Sequence, residues 1–192
     1  MRSVRQALTI VVFMTFTLGI VYPLVITAVS RVVFPAQAAG SLLHQGGTLI
    51  GSTLIGQHFS DPKYFWGRPS ATAPQPYNGE ASGGSNLGPL NPALLDQVDA
   101  NLKPLRTAQP ADHAAAVPVD LVTASASGLD PHISVAGAHF QAERVAEARH
   151  MTAAAVHALI DRLQSSPLFG IIGESQVNVL ELNMALDHPG NE

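Results

Sequence analysis

The chain has 192 residues, of which 46% are hydrophobic and only 12% charged, so it is long enough for one folded domain and poor in charge. All 14 acidic residues follow residue 40, whereas three of the ten basic residues precede it, so most of the chain is acidic and has no electrostatic reason to bind nucleic acid. The sequence contains no cysteine, which excludes disulfides and thiolate metal sites.

The first predicted element is a membrane-spanning helix over residues 7–30. This run carries no charge and would be about 36 Å long as a helix, which exceeds the roughly 30 Å hydrocarbon core of a bilayer. Apolar side chains lie all around it, as a helix surrounded by lipid requires. Arg2 and Arg5 precede the run, and Arg31 follows it.

The positions of these arginines predict the topology of the chain. More positive charge precedes the apolar run than follows it, so the positive-inside rule places residues 1–6 in the cytoplasm. A connector over 31–45 then leads to a soluble extracytoplasmic domain over 46–192. The expected location is the bacterial inner membrane, with the domain in the periplasm.

A cleaved secretory signal is the alternative interpretation of the apolar run. Ala36-Gln37-Ala38 has the small-x-small pattern of a cleavage site, and cleavage near Ala38 would release a secreted periplasmic binding module. The apolar region of a signal peptide spans only ~7–15 residues, so the length of this run favours an uncleaved anchor.

The rest of the sequence predicts an α+β domain with a small sheet covered by helices. The predicted strands are 48–55, opened by Gly46-Gly47, and 117–123 and 176–182. The predicted helices are 92–102, ended by Lys103-Pro104, then 134–149 capped by Ser134, one that begins near Thr152, and a turn over 182–186. A linker is expected over 108–116.

A long irregular stretch, residues 61–92, separates the first predicted strand from the first predicted helix. Its six prolines and five glycines exclude regular structure, whereas its aromatic residues argue against disorder. Aromatic and arginine side chains dominate most protein interfaces. We therefore hypothesise that Tyr64, Phe65, Trp66 and Arg68 dock on a partner protein; the alternative is that they pack on their own domain.

A glycine-rich segment lies within this stretch. Ser82, Gly83, Gly84 and Ser85 could cradle an anion or cofactor through backbone N–H groups. The segment lacks the Gly-Lys-Ser/Thr ending of a phosphate-binding loop, which favours a tight structural loop instead.

Hydroxyl, carboxyl and imidazole groups cluster over residues 123–132. Ser127 and His132, with Asp130 between them, would suit a membrane-anchored serine hydrolase. The segment has no Gly-x-Ser-x-Gly pattern, and members of a catalytic triad rarely lie so close in sequence. A turn built on Gly128 and Asp130-Pro131 is the preferred interpretation, so no catalytic residue is expected.

Two further groups of residues are expected to be structural. Arg144 and Arg149 with Glu143 and Glu147 are predicted to form a solvated helix face with i,i+3 pairs. The eight histidines show no His-Glu-x-x-His spacing, so no metal site is expected.

Six motifs, in order along the chain, resemble the C subunit of the bacterial Kdp-type potassium-transporting ATPase, the KdpC family. They are Asp61–Phe65 followed by Arg68–Ala71, then Ser82–Pro89, Pro118–Ser125, Ser127–Ser134, Arg144–Arg149 and Val177–Asn183. The resemblance covers nearly the whole chain, including the N-terminal apolar helix. One departure is His150, where the family usually has glycine.

The resemblance implies an accessory subunit without catalytic activity of its own in a high-affinity, ATP-driven potassium uptake complex. The implied partners are a potassium-translocating subunit, an ATP-hydrolysing subunit and a small single-span subunit. It also implies a role in assembling the complex and as a catalytic chaperone that raises the ATP affinity of the hydrolytic subunit. ATP therefore enters as a cofactor only through the family role.

Overall fold

The computed structural model describes residues 2–109, 115–167 and 169–188. The chain divides into two compact units, residues 1–52 and 53–192. The predicted limits of the connector and of the soluble domain, 31–45 and 46–192, stay predictions. Much of the predicted linker over 108–116 lies outside the described residues.

The first unit begins with an apolar helix, Arg2–Val33, that is long and apolar enough to cross a membrane. It consists of α1 (Arg2–Phe16), a π-helical turn (Thr17–Val21) and α2 (Tyr22–Val33). Pro23 explains the widened turn, because a proline lacks an N–H and its ring clashes with the carbonyl four residues earlier. The N–H of Tyr22 accordingly donates to the carbonyl of Thr17, five residues back.

A short helix and a β-hairpin complete the first unit. They are α3 (Pro35–Ala38), β1 (Leu42–Gln45) and β2 (Thr48–Ser52). Gly46 and Gly47 both have positive φ, as a two-residue turn between antiparallel strands requires. The strand predicted over 48–55 therefore ends at Ser52, and β1 was not predicted.

In the second unit, α4 spans Pro92–Ala108. The Asn91 side chain accepts a hydrogen bond from the N–H of Ala93 at 3.0 Å, which confirms the predicted start. The predicted end at Lys103-Pro104 is wrong, because Pro104 lies inside the helix. The turn that follows Pro104 places Leu105 in the core at 5% exposure, and this burial offsets the hydrogen bond that the proline removes.

The strand predicted over 117–123 is also wrong. Residues Val119–Leu121 form a single 3-10 turn, and Val119 is exposed whereas Leu121 is buried. The side chain of Asp120 ties this turn to the start of α5. Its carboxylate accepts hydrogen bonds from the N–H and the hydroxyl of Ser134 at 2.7 and 3.0 Å.

The small sheet of this unit pairs β3 (His132–Ser134) antiparallel with β4 (Gln176–Asn178), with Ile133 opposite Val177. The strand predicted over 176–182 is therefore too long. Asn178 accepts hydrogen bonds from the N–H groups of Leu180 and Glu181 and caps α7 (Val179–Asp187). This cap converts an alternating apolar sequence into a helix.

Two helices follow the predicted pattern. Ser134 and Thr152 cap α5 (Val135–Ala148) and α6 (Ala153–Leu163). His150 has a φ of 56° between them. The N–H of His150 donates to Glu147 and that of Met151 to Ala146, which is the Schellman arrangement in which glycine usually holds the left-handed position. The sharp break between the helices is therefore kept with histidine in that position.

The core of the second unit lies where α5, α6, α7 and the small sheet meet. Its fully buried residues include Phe65, Ile133, Val145, Val156, Ile160, Val177 and Leu182. The predicted α+β class is confirmed, with the sheet reduced to two short strands.

Candidate functional site: the clamped loop

Residues 53–91 contain no helix or strand. Side chains from α5, α7 and the turn that precedes β3 nevertheless hold much of this segment. We call residues 61–84 the clamped loop. Phe65 is its anchor, with no exposed surface. Its backbone N–H donates to Oδ1 of Asn183 at 2.8 Å, and Nδ2 of Asn183 donates to its carbonyl at 3.0 Å. The buried side-chain amide of Asn183 on α7 thus satisfies both backbone polar groups of Phe65, as a neighbouring β-strand would.

The next residue is held in the same way from α5. The N–H of Trp66 donates to Oε1 of Gln141 at 2.8 Å, and Nε2 of Gln141 donates back to the carbonyl of Trp66 at 3.1 Å. Arg144 donates to the same Oε1 at 2.7 Å and to the carbonyls of Tyr64 and Pro62. Its guanidinium also stacks on the Trp66 ring at 4.1 Å.

Burial makes Arg144 an unusual cation. It is 5% exposed, and this desolvation lowers the pKa of its guanidinium to about 10, against a small opposing effect of Asp61. The side chain is therefore still charged at neutral pH, and its charge is satisfied by loop carbonyls. The prediction that Arg144 belongs to a solvated helix face is wrong.

Arg149 closes the start of the clamped loop. It donates to the carbonyl of Lys63 at 2.6 Å, to that of Leu186 at 3.0 Å and to the Asp187 carboxylate at 2.7 Å. The hydroxyl of Tyr64 donates to the same carboxylate at 2.9 Å. The prediction of a solvated helix face is therefore wrong for Arg149 as well, because its partners are on α7 and in the loop.

Arg68 connects the loop to the turn that precedes β3. Its guanidinium lies 3.0 Å from the Asp130 carboxylate and 3.4 Å from the carbonyl of Ala124. Burial alone would raise the pKa of Asp130, but the hydrogen bonds from His132 and Arg68 outweigh it and hold that pKa below its ordinary value. Arg68 and Asp130 therefore form an ion pair that ties the clamped loop to this turn.

Tyr77 packs where the loop folds back on itself. Its hydroxyl donates to the carbonyl of Arg68 at 2.6 Å, and burial, helped by Asp130, raises its pKa to about 12. The ring approaches Gly56 so closely that a Cβ there would lie 2.3 Å from it, and a Cβ on Gly67 would lie 2.6 Å from the hydroxyl. Glycine is therefore required at both positions.

The glycine-rich segment packs against the Ser127 turn. The hydroxyl of Ser82 and the N–H of Gly83 both donate to the carbonyl of Ser127, at 3.0 and 2.9 Å. A Cβ on Gly84 would lie 2.9 Å from the carbonyl oxygen of Ala126, and Ser85 is half-buried. This close backbone approach accounts for Gly84, whereas a Cβ on Gly83 would meet nothing within 4 Å. Cofactor binding by these four residues stays a prediction.

The Ser127 turn itself has the predicted form. Gly128 has a φ of 67°, and the N–H of Leu129 donates to the Ser127 hydroxyl at 3.1 Å. The ring of His132 lies 3.6 Å from Asp130. Ser127 and His132 thus each have a structural partner within the turn.

A cavity of about 370 Å³ lies between the clamped loop and α4. Its walls include Trp66, Arg68, Tyr77, Asn101 and Leu105. The mixture of aromatic, apolar and polar walls is of the kind that holds small molecules. Within the described parts of the chain, no group of three or more His, Asp or Glu side chains could hold a metal ion.

The residues predicted to dock on a partner are thus all engaged within their own unit. Phe65 is fully buried, and Tyr64, Trp66 and Arg68 are half-buried with the contacts given above. Docking of this loop stays a prediction, and for Phe65 it would require the side chain to leave the core. Sequence reasoning missed the clamp itself, although one signal was present: Gln141 is a polar residue on the apolar face of α5.

Each of the six sequence motifs contributes residues to the contacts among the clamped loop, the Ser127 turn, α5 and α7. An apolar helix long enough to span a membrane precedes them in the chain. The second unit is therefore an α+β domain, and the described part of the chain also contains one apolar helix that could span a membrane.

Comparisons with known proteins identify the family. The family model described as "KdpC: K+-transporting ATPase, c chain" matches residues 4–188. A protein named "Potassium-transporting ATPase KdpC subunit" from Variovorax paradoxus (strain S110) is 60% identical over 96% of this chain and 95% of its own length. Proteins of the same name from Polaromonas naphthalenivorans (strain CJ2) and Ralstonia nicotianae (strain ATCC BAA-1114 / GMI1000) are 57% and 56% identical, each over 95% of this chain and over 93% and 89% of their own lengths. The chain belongs to the KdpC family.

Proposed function

We propose that this chain is the C subunit of a high-affinity, ATP-driven potassium uptake complex, which it assembles and stabilises. The observation that carries the proposal is the family match over residues 4–188, because it includes the apolar helix as well as the domain. Relatives of more than half identity along nearly their whole length bear the same subunit name.

The proposal gives the chain no catalytic chemistry of its own. Its buried polar side chains, Gln141, Arg144 and Asn183, are committed to holding the clamped loop. Its effect on catalysis is as a catalytic chaperone that raises the ATP affinity of the hydrolytic subunit. A rigid domain supports this role, since it presents a fixed surface to its partners at little entropic cost.

The proposed partners are a potassium-translocating subunit, an ATP-hydrolysing subunit and a small single-span subunit. The proposed location is the inner membrane, with the domain in the periplasm. Arg2 and Arg5 before the apolar helix support this orientation. On this topology the chain acts on ATP affinity through the membrane subunits rather than by touching ATP.

Copurification and ATPase kinetics test the proposal together. The complex is purified through a tag on the ATP-hydrolysing subunit, from cells with and without this chain. We expect the chain to copurify, and its removal to destabilise the complex or to raise the half-saturating ATP concentration by about fivefold or more, a typical coupling between sites. A chain that does not copurify would refute the proposal. A complex that stays intact without the chain would refute the assembly role, and an unchanged ATP dependence would refute the chaperone role.

Orientation and processing are tested separately. Protease added to spheroplasts should digest the domain while a cytoplasmic marker survives, and N-terminal sequencing of the membrane-bound protein should find no cleavage near Ala38. Protection of the domain until lysis would contradict the orientation. A mature protein that begins after Ala38 would favour the secreted binding module, and labelling of Ser127 by a serine-directed phosphonate would favour the hydrolase.

A further inference from the structure

An exposed apolar segment connects α6 to β4. Phe169 and Ile171 are 85% and 84% exposed, and Ile172 is 59% exposed. We call residues 169–173 the apolar finger. Three large apolar side chains are thus exposed within four residues, and clustered exposed apolar surface marks interaction sites on soluble domains. Folding of the domain does not account for it, because these side chains remain in water.

The finger has a defined shape. Phe169, Gly170 and Gly173 all have positive φ, and the N–H of Gly170 donates to the carbonyl of Pro167 at 2.9 Å. Positive φ is unfavourable for a phenylalanine, and the exposed ring gains no packing in return within the domain. Backbone strain combined with an exposed aromatic ring is typical of a surface shaped for a partner.

The base of the finger is fixed to the sheet. The N–H and the hydroxyl of Ser165 both donate to the carbonyl of Gln176, at 2.8 and 3.0 Å. Gln176 begins β4, which pairs with β3 next to the core. The finger therefore projects from a held base, which reduces the entropy that docking would cost.

We infer that the apolar finger docks into an apolar groove on a membrane-embedded protein subunit of the same complex. The inference rests on the proposed function. Residues 164–173 contain no Lys, Arg, Trp or Tyr, the side chains that anchor protein segments in a lipid interface. The acidic balance beyond residue 40 also disfavours an anionic lipid surface. An uncharged aliphatic and aromatic patch instead has the composition of an interface core.

The finger offers exposed apolar side chains, which the clamped loop largely lacks. Phe65 is buried, and the half-buried Trp66 has the Arg144 guanidinium stacked on its ring. The finger presents Phe169 and Ile171 with most of their surface free. The docking surface that we infer is accordingly the connection between α6 and β4, and docking of the aromatic motif stays a separate prediction.

Site-specific cysteine labelling tests the inference, because the chain contains no cysteine. Ile171→Cys is introduced into the full chain, and Val119→Cys serves as the matched control, since Val119 is also β-branched and 71% exposed. The rate of reaction with a water-soluble maleimide is measured for the chain alone in phosphatidylethanolamine–phosphatidylglycerol vesicles. It is measured again in the complex purified through its ATP-hydrolysing subunit, on a background in which the partner cysteines are replaced or blocked.

We expect the rate at position 171 to fall at least about tenfold on assembly, relative to the rate at position 119, because a tenfold fall requires the docked state to be favoured by only about 1.4 kcal/mol. Slow labelling in vesicles without partners would show insertion into lipid and overturn the inference, and slow labelling only at high chain concentration would show self-association and do the same. Equal rates at both positions within an assembled complex would overturn the inference while leaving the proposed function intact. Failure of the Val119→Cys chain, whose finger is unchanged, to join the complex would overturn both.

Discussion

Removal of the Arg144 guanidinium should release the clamped loop. Arg144→Met keeps most of the buried aliphatic volume and deletes the hydrogen bonds to Gln141 and to the carbonyls of Tyr64 and Pro62. It also deletes the stacking on Trp66. Hydrogen bonds to a charged group contribute about 1.5–3 kcal/mol each, so the three together are on the order of 6 kcal/mol, and the stacking adds about 1 kcal/mol.

The charge itself opposes part of this stabilisation. Burial lowers the pKa of Arg144 from 12.5 to about 10, which corresponds to about 3 kcal/mol of desolvation cost that methionine does not incur. The expected net loss is therefore about 3–4 kcal/mol of unfolding free energy. That is a large fraction of the roughly 5–15 kcal/mol that holds a typical domain folded.

Urea unfolding of the full chain in detergent micelles measures this loss. Trp66 is the sole tryptophan, so its fluorescence reports on the clamped loop. With a urea dependence of about 1–3 kcal/mol per molar, the midpoint should fall by roughly 1–4 M. Arg144→Lys should lose most of the same stability, because lysine keeps the charge but lacks the planar fork and the stacking surface.

Lys103→Met is the matched control, since Lys103 is an exposed cation on α4. Its unfolding free energy should stay within about 0.5 kcal/mol of the parent value. An Arg144→Met midpoint that matches the Lys103→Met midpoint would refute the reasoning, and the clamp would then depend on Asn183 and Gln141 alone.

Three further changes have directions set by the structure. The pKa of Asp130 is depressed in the folded state, so its stabilisation is present above pH 3.8 and lost as pH falls through the folded pKa; Asp130→Asn should remove this part of the acid sensitivity. The pKa of Tyr77 is raised to about 12, so its stabilisation is present below pH 10 and lost between pH 10 and about 12; Tyr77→Phe should flatten that alkaline loss, on the order of 2–3 kcal/mol. His150→Gly should raise the unfolding free energy by about 0.5–1 kcal/mol, because glycine accepts the positive φ without strain.

Each of these is measured by unfolding free energy, the first two as a function of pH. Asp99→Asn, an exposed carboxylate change on α4, should leave the acid dependence of the parent in place. An unchanged alkaline limb in Tyr77→Phe would contradict the buried hydroxyl. A destabilised His150→Gly would show that the imidazole contributes more than the strain costs.

The sequence predicted the helices best, because their signals are local. Ser134 and Thr152 are caps that act within one turn, and the apolar spacing of α6 needs no partner to be recognised. The strand wrongly predicted over 117–123 and the excess length of the strand predicted over 176–182 had apolar and β-branched residues as their main signal. In both places a polar contact decided the structure instead: Asp120 holds the 3-10 turn by bonding Ser134, and Asn178 starts α7.

The clamp could not be predicted from one sequence because its partners are far apart in it. Phe65 and Asn183 are 118 residues apart, and Trp66 and Gln141 are 75 apart. The composition of residues 61–92 indicated an ordered loop with aromatic anchors. Whether those anchors face inward depends on which side chains of α5 and α7 meet them, and periodicity carries no such information.

The six motifs by which the family is recognised supply the residues that hold the clamped loop, the Ser127 turn, α5 and α7 together. Gly84 allows the backbone to approach Ala126, Arg144 satisfies loop carbonyls, and Asn183 pairs with the backbone of Phe65. These motifs therefore describe how a domain with a two-stranded sheet stays rigid without disulfides. The apolar finger contributes to no motif and to no core contact described above, so its exposed side chains have to be explained by something outside the domain. In this chain, the residues that identify the family hold the scaffold together, and the surface that we infer to meet the partner lies beside them.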